Sequence, residues 1–304
     1  MKRNVFIGLF LILCLSGLFA QEFSEQKDIA LQDSTVKSSS SFQETILSGL
    51  RTDQLKISEK DIIKRIDSLP AFSIYKDNFF ITGVSLHEKL STESADAKFQ
   101  ISFRQRLTSS RLPFNTFLYL TYTQRSFWDI YQESSPFRDI NYNPGIGLGR
   151  YIVHNDKLKG AVFLQIEHES NGKDGELSRD FNAISLSGKY FVNENLLLRL
   201  NLNAPFLLGE HNKDIVDYRG LGYFTAEYRT SDHKWWFSTT FNPRNNILSV
   251  NTNVSAAYKI SDKLNQYLYM EFYNGRGDSM LNYKRYDLNV RVGICIKSDF
   301  YNAF

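Results

Sequence analysis

The alternating pattern at residues 161–182 constrains the fold of this chain more than any other feature. With the two-residue period of a β-strand, one face of its first half carries Val162, Leu164, Ile166, His168 and Ser170. The second half repeats the alternation, with Asn182 at the head of an apolar face that continues through Ile184 and Leu186. Two apolar strand faces therefore end in polar side chains.

An apolar strand face packs against either a protein core or lipid. In a water-soluble core, three polar groups at the edge of that face would be unusual, whereas in a membrane barrel the face points to lipid. Mean hydropathy is −0.34, aromatic residues make up 14% of the chain and Pro numbers only 6. After the first residues, no apolar run approaches the roughly 20 residues of a membrane helix, so we expect strands to cross the membrane.

Residues 1–20 have the layout of a secretory signal peptide, with two basic residues, an apolar run and small residues at the end. We predict cleavage after Ala20, which leaves Cys295 as a single cysteine with no internal disulfide. The net charge of +3 falls close to zero once Lys2 and Arg3 are removed. Nothing in the charge favours a nucleic-acid partner.

The remaining chain divides into two regions. Residues 21–77 are polar and Ser-rich at first, and we interpret them as a periplasmic extension with a short helix predicted over 58–69. Residues 78–304 contain about twelve alternating segments, each long enough for the roughly 9 to 11 residues of a membrane-crossing strand. The predicted fold is all-β, a twelve-stranded antiparallel transmembrane β-barrel.

The predicted connections alternate between tight turns and long loops. Short periplasmic turns and longer outer loops are typical of such barrels, which places the loop at 171–180 on the outer side. The terminal aromatic residue, Phe304, resembles the assembly signal of bacterial outer-membrane barrels, although an aromatic residue also occurs there by chance.

His168 and Ser170 lie on one strand face with backbones roughly 7 Å apart. A serine becomes a nucleophile when a base takes its proton and a third group orients that base. Asn182 can accept a hydrogen bond from His168 without placing a charge at the lipid boundary. His-x-Ser followed by Asn also occurs by chance. The catalytic interpretation therefore depends on the lipid-facing position of these residues, where polar side chains are costly. The absence of GxSxG, HExxH and Gly-rich phosphate motifs disfavours soluble lipases, zinc proteases and nucleotide enzymes.

Two longer stretches carry a family resemblance, YTQRSFWDIYQESSPFRDINYNP and EHESNGKDGELSRDFN. They resemble the outer membrane phospholipase A family, and the resemblance runs from about residue 78 to the carboxy terminus. It implies a calcium-dependent barrel whose active site faces the membrane. Carried over by position, Ser170 is the acyl nucleophile, His168 the general base and Asn182 the residue that orients His168.

The resemblance also implies an oxyanion site formed by calcium and the backbone amide of Gly172. The matching calcium ligands are the backbone of Lys173, Ser178, and Ser134 from a second chain. Hydroxyl and carbonyl oxygens are suitable ligands for a hard cation.

Two departures from the family pattern concern the same loop. Lys173 stands where the family often has Arg, which is tolerable if the backbone carbonyl is the ligand. Gly175 stands where an acidic residue is found, with Asp174 and Glu176 beside it. These two carboxylates either replace that acid or are solvated loop charges.

Gln124 lies on the apolar face of its strand, in line with Leu118 and Leu120. The family pairs a glutamine at this position with its copy in a second barrel, which implies a reversible homodimer. Polar contacts of this kind between membrane segments contribute roughly 0.6 to 2 kcal/mol. Alternatively, Gln124 lies near the aqueous rim and reaches water.

We therefore expect a calcium-dependent phospholipase of the Gram-negative outer membrane, activated by dimerisation, that hydrolyses acyl esters of phospholipids with A1, A2 and lysophospholipase activity. The alternative is a non-catalytic barrel, either a small-solute channel or a structural protein. A channel requires an open polar lumen. Charged residues on the inward faces favour a lumen crossed by side chains, among them Lys189, Arg199, Glu227 and Arg291.

Overall fold

The computed structural model describes residues 58–245, 249–262, 264–298 and 300–301. The predicted signal peptide, the extension up to residue 57 and Phe304 lie outside the described residues. The strands are β1 (Phe72–Ile74), β2 (Asn78–Ser85), β3 (Ala95–Arg106), β4 (Phe117–Trp128), β5 (Phe137–His154), β6 (Lys157–Ser170), β7 (Asp180–Phe191), β8 (Leu196–Leu208), β9 (Gly222–Arg229), β10 (Trp235–Pro243), β11 (Val250–Lys259), β12 (Tyr267–Arg276) and β13 (Tyr286–Ile296).

The strands form one closed antiparallel sheet. Each strand from β2 to β13 pairs with its sequence neighbours, and β2 also pairs with β13, which closes the wall. The short β1 pairs with β3 beyond the end of β2, at Ile74 opposite Phe103. The wall therefore contains twelve strands, which confirms the predicted barrel.

The two-residue period sorts side chains between lipid and lumen. On β6, Leu164 and Ile166 are 50% and 55% exposed, whereas the intervening Gln165 is 4% exposed and faces inward. Because the barrel exterior contacts acyl chains, exposed apolar residues there are expected. The predicted outward face of the 161–182 segment is confirmed.

Ion pairs join side chains that point into the lumen. Lys98 on β3 contacts Glu271 on β12 at 2.9 Å and Asp278 at 2.7 Å, and Arg199 contacts Glu227 on the neighbouring strand β9 at 2.7 Å. Such buried charges are tolerated because each is paired. A polar cavity of about 350 Å³ remains between the inward-facing side chains.

The helix predicted over 58–69 is confirmed as α1 (Glu59–Asp67), which begins after Ser58. The Ser58 side chain accepts a hydrogen bond from the amide of Asp61, a typical N-terminal cap. Ile62 and Ile66 on α1 are buried in an apolar cluster at the short-turn end of the barrel, together with Leu158, Phe191, Leu197, Trp236 and Phe300. No helix of the described residues is long and apolar enough to span a membrane.

The opposite end of the barrel carries most of the longer connections. They follow β2 (86–94), β4 (129–136), β6 (171–179), β8 (209–221) and β12 (277–285). The connection after β3 (107–116) is an exception to the predicted alternation, because it is long but lies at the short-turn end. The connection after β8 includes the short helix α2 (Ile215–Arg219), and Ile215 packs with Met280 and Tyr283. These loops frame the end of β6 at which Ser170 lies.

Candidate active site

His168 and Asn182 form a hydrogen-bonded pair on the outer wall. They lie directly opposite each other on β6 and β7, and 3.1 Å separates His168 Nδ1 from Asn182 Oδ1. An amide oxygen can only accept, so Nδ1 carries the proton and donates it. The lone pair of Nε2 is then available to act as a base.

Ser170 is the last residue of β6 and lies two positions beyond His168 on the same face. Its neighbours across the sheet are Tyr142 on β5 and Asp180 on β7. Within the described residues no hydrogen bond joins Ser170 to His168. Catalytic hydrogen bonds of this type often tighten only when substrate is bound.

The lumen side of β6 is held by polar contacts behind the pair. The Asn143 side chain donates to Glu167 Oε2 at 2.9 Å and to the carbonyl of His168 at 3.0 Å. Glu169 forms an ion pair with Arg219 of α2 at 2.9 Å, where both side chains are largely buried. The sequence did not predict these supporting contacts, because the residues that form each contact are far apart in the chain.

A buried asparagine shapes the loop after the nucleophile. Asn171 is 4% exposed, and its side chain donates to the carbonyl of Leu177 at 2.9 Å. Its Oδ1 accepts from the amides of Arg179 at 2.9 Å and Lys173 at 3.4 Å. Asn171 therefore draws the two flanks of the loop together. An Asn followed by Gly is a turn signal that could have indicated this role.

Gly172 has a backbone that requires glycine. Its φ is +65°, in the left-handed region, and a Cβ at this position would lie 3.0 Å from the ring of Tyr142. Gly172 is thus held beside the outer wall, two residues beyond Ser170, where its amide was expected to stabilise an oxyanion.

The expected calcium donors fit a calcium ion by their chemistry. Lys173 and Ser178 lie in one loop, and Asn171 contacts both Lys173 and the residue after Ser178. A backbone carbonyl and a hydroxyl are oxygen ligands of the kind that calcium accepts. Ser134 is exposed in a different outer loop. Among the described residues, no three His, Cys, Asp or Glu side chains converge as a metal site.

The two loop carboxylates beside Gly175, Asp174 and Glu176, are both exposed. Gly175 itself has a φ of +56° and starts a single 3-10 turn that ends at Leu177. The backbone therefore favours glycine at the position where the resemblance implied an acid.

Gln124 is hydrogen-bonded within its own strand. Its Oε1 accepts from the hydroxyl of Tyr122 at 3.1 Å, and its Nε2 donates to Ser126 Oγ at 3.2 Å. Gln124 lies opposite Tyr142, which in turn lies opposite Ser170. A partner barrel seated on Gln124 would therefore lie two strands from the nucleophile.

The outer loops also bind one another. Lys284 contacts Asp214 at 2.6 Å, and Tyr283 donates a hydrogen bond to the same carboxylate. These bonds hold the pKa of Asp214 below its usual value, whereas burial and Asp214 raise the pKa of Tyr283. The guanidinium of Arg179 lies 5.7 Å from the centre of the Tyr283 ring, which links this cluster to the loop after Ser170.

A Ser, a His and an Asn together on the lipid-facing wall of a transmembrane barrel are the arrangement expected of a membrane-embedded hydrolase. The sequence pattern of the phospholipase A1 family matches residues 68–296. The chain therefore belongs to the phospholipase A1 family, and its barrel is an outer-membrane fold.

Known proteins agree with this assignment. Phospholipase A1 of Salmonella typhimurium is 27% identical over 67% of this chain. The outer membrane phospholipase A structure from Escherichia coli is 25% identical, with a TM-score of 0.67 over 75% of this chain and 99% of its own. A Salmonella typhi outer membrane phospholipase, solved as a dimer with bound calcium, has a TM-score of 0.67 at 22% identity over 85% of this chain and 99% of its own. The chain spans 57% to 71% of the length of the curated relatives it matches.

Proposed function

We propose that this protein hydrolyses acyl ester bonds of phospholipids with Ser170 as nucleophile. The observation that carries the proposal is the hydrogen bond from His168 to Asn182 beside Ser170 on a wall that faces lipid. Family membership supports phospholipase activity. A site on the side of the barrel would meet its phospholipid substrate within the outer leaflet. We expect the enzyme to cleave the ester at either acyl position and also to hydrolyse lysophospholipids.

The reaction follows from the order of these groups. His168 Nε2 takes the proton of the Ser170 hydroxyl as Ser170 attacks the ester carbonyl, and then passes it to the departing alcohol. Asn182 keeps Nδ1 protonated and the ring oriented. The amide of Gly172 donates to the oxyanion, and loss of one such donor typically costs about 3 to 4 kcal/mol of barrier. Water then releases the fatty acid from Ser170 by the same proton transfers.

Calcium and dimerisation form the second part of the proposal. Calcium, held by the Lys173 carbonyl, Ser178 and Ser134 of the partner subunit, would supply positive charge near the oxyanion. A ligand set divided between two chains would make activity depend on dimerisation, with Gln124 in the contact. The Salmonella typhi relative, a dimer with bound calcium, supports this arrangement.

The lumen does not support the alternative of a solute channel. Inside the lumen Lys98 on β3 reaches across two strands to Glu271 on β12, and α1 with the apolar cluster around Ile62 and Ile66 lies at the short-turn end. A hydrolase with a site on the outer wall requires no open lumen.

Fatty-acid release from mixed micelles of phospholipid and detergent tests the proposal. We expect calcium-dependent release by the refolded protein, a loss of about 10³-fold or more in Ser170→Ala, and full activity in the control Ser231→Ala, a turn residue at the other end. Release that persists in Ser170→Ala would contradict the assigned nucleophile. Release that persists with a chelator would remove calcium from the mechanism.

A further inference from the structure

Strand β8 carries an irregularity directly beside the catalytic pair. Asn182 on β7 lies opposite Leu207, but the next residue, Ala183, lies opposite Pro205. Phe206 is therefore left without a partner on β7, which defines a β-bulge. Bulges of this kind often lie next to active sites, where they redirect a side chain.

The bulge turns two successive apolar side chains outward. Phe206 and Leu207 are 60% and 58% exposed, although neighbours on a regular strand face opposite sides. Pro205, just before them, lines the lumen cavity. The outer wall thus gains an apolar ledge, Phe206 and Leu207, that regular alternation would not provide.

We propose that this ledge binds an acyl chain of the phospholipid substrate, an inference that rests on the function proposed above. Neighbouring strands lie about 4.8 Å apart, so Leu207 on β8 is roughly 10 Å from the nucleophile strand β6. That span lies within reach of a long acyl chain whose ester is bound at Ser170. The ledge determines specificity and takes no part in the chemical step.

The chemistry of the ledge identifies its occupant. Phe and Leu side chains offer no hydrogen bond or charge, so they recognise hydrocarbon and not a head group. Below the ledge, Ile184 and Ala204 continue the outward face towards the membrane centre. Above it, Asn212 binds the backbone of Asp180, which marks the start of the polar outer loops.

The ledge also lies on the flank of the site away from Gln124. Gln124 and Tyr142 approach Ser170 from the β4 and β5 side, whereas Phe206 and Leu207 approach Asn182 from the β8 side. A second barrel seated on Gln124 would leave β8 open to lipid. The ledge can therefore hold an acyl chain in the dimer as well.

The test compares substrates of different chain length with the full-length protein in detergent. Phe206→Ala and Leu207→Ala should each lower the ratio of kcat/KM for a dipalmitoyl phospholipid to that for a dihexanoyl phospholipid by about ten-fold, mainly through KM. Phe206→Leu, which keeps an apolar side chain, should restore most of the ratio. Folding is checked for each variant by heat-modifiable mobility on gels.

Phe241→Ala is the matched control, because Phe241 is also exposed on the outer wall, on β10. We expect this variant to keep the wild-type ratio. If Phe206→Ala, Leu207→Ala and Phe241→Ala all keep the wild-type ratio while wild type hydrolyses both substrates, the ledge does not bind the acyl chain. The proposed phospholipase activity is then unaffected. If wild type hydrolyses neither substrate, the proposed function fails and the ledge fails with it.

Discussion

Two asparagines on opposite walls of the barrel occupy similar positions but have different hydrogen-bond donors as neighbours. Asn182 on β7 and Asn274 on β12 both face outward near the outer ends of their strands. Each accepts one hydrogen bond through its side-chain oxygen, from His168 at 3.1 Å and from the hydroxyl of Tyr286 at 2.7 Å. By fold and burial the two sites are alike.

They differ in what the hydrogen-bond donor can do. Tyr286 is 40% exposed, and its hydroxyl donates to Asn274 but offers no imidazole nitrogen that could act as a base. His168 keeps the lone pair of Nε2 for a base and has a serine hydroxyl two residues away on its own strand. A polar pair at the outer rim is therefore compatible with simple anchoring, and the adjacent Ser170 turns it into a candidate for catalysis.

The largest effect expected from this comparison follows from removing the two donors. His168→Ala should lower kcat by about 10³-fold or more, since the variant lacks the base assigned to take the proton of Ser170. Tyr286→Phe removes the donor of the other pair and should change kcat by less than about two-fold. Both are measured by fatty-acid release at saturating substrate. Equal losses of kcat in the two variants would contradict the assignment of His168, and not Tyr286, to catalysis.

The two asparagines provide the next contrast. Asn182→Ala should lower kcat by roughly 10²-fold, because His168 loses the group that fixes its tautomer and ring orientation. Asn274→Ala should stay within about two-fold of wild type in the same assay. An Asn182→Ala enzyme with an unaltered rate would exclude Asn182 from the triad.

The sequence predicted the parts of this site that depend on local alternation. The period of β6 and β7 was sufficient to place His168, Ser170 and Asn182 on one outward face, and the helix before the barrel was also predicted. The burial of α1 could not be predicted, because its apolar partners belong to several distant strands. The bulge at Phe206 depends on strand register, which no short segment specifies.

The loop after Ser170 allows a smaller effect to be measured. Asn171→Ala removes three side-chain hydrogen bonds, which join Asn171 to the backbone of Lys173, Leu177 and Arg179. We expect about a ten-fold loss of kcat/KM and a higher calcium requirement, because the candidate donors flank this asparagine. The matched control is Asn251→Ala, a buried asparagine that holds the Tyr218 carbonyl and the Arg276 amide on another wall. A calcium requirement raised equally in both variants would argue for general loosening of the outer loops.

The smallest expected effect is on the free energy of unfolding, which should change in opposite directions for substitutions at the two sites. Replacing His168 and Asn182 together by Leu removes two polar groups from a lipid-facing surface, so the free energy of unfolding should rise by about 1 kcal/mol. Asn274→Leu should instead lower it by up to about 1 kcal/mol, because the Tyr286 hydroxyl loses an acceptor. Reversible urea unfolding in lipid vesicles measures both. If the free energy of unfolding falls by a similar amount in both variants, the His168 and Asn182 pair stabilises the barrel. If the two changes have opposite signs, the pair lowers stability, as expected of residues retained for catalysis.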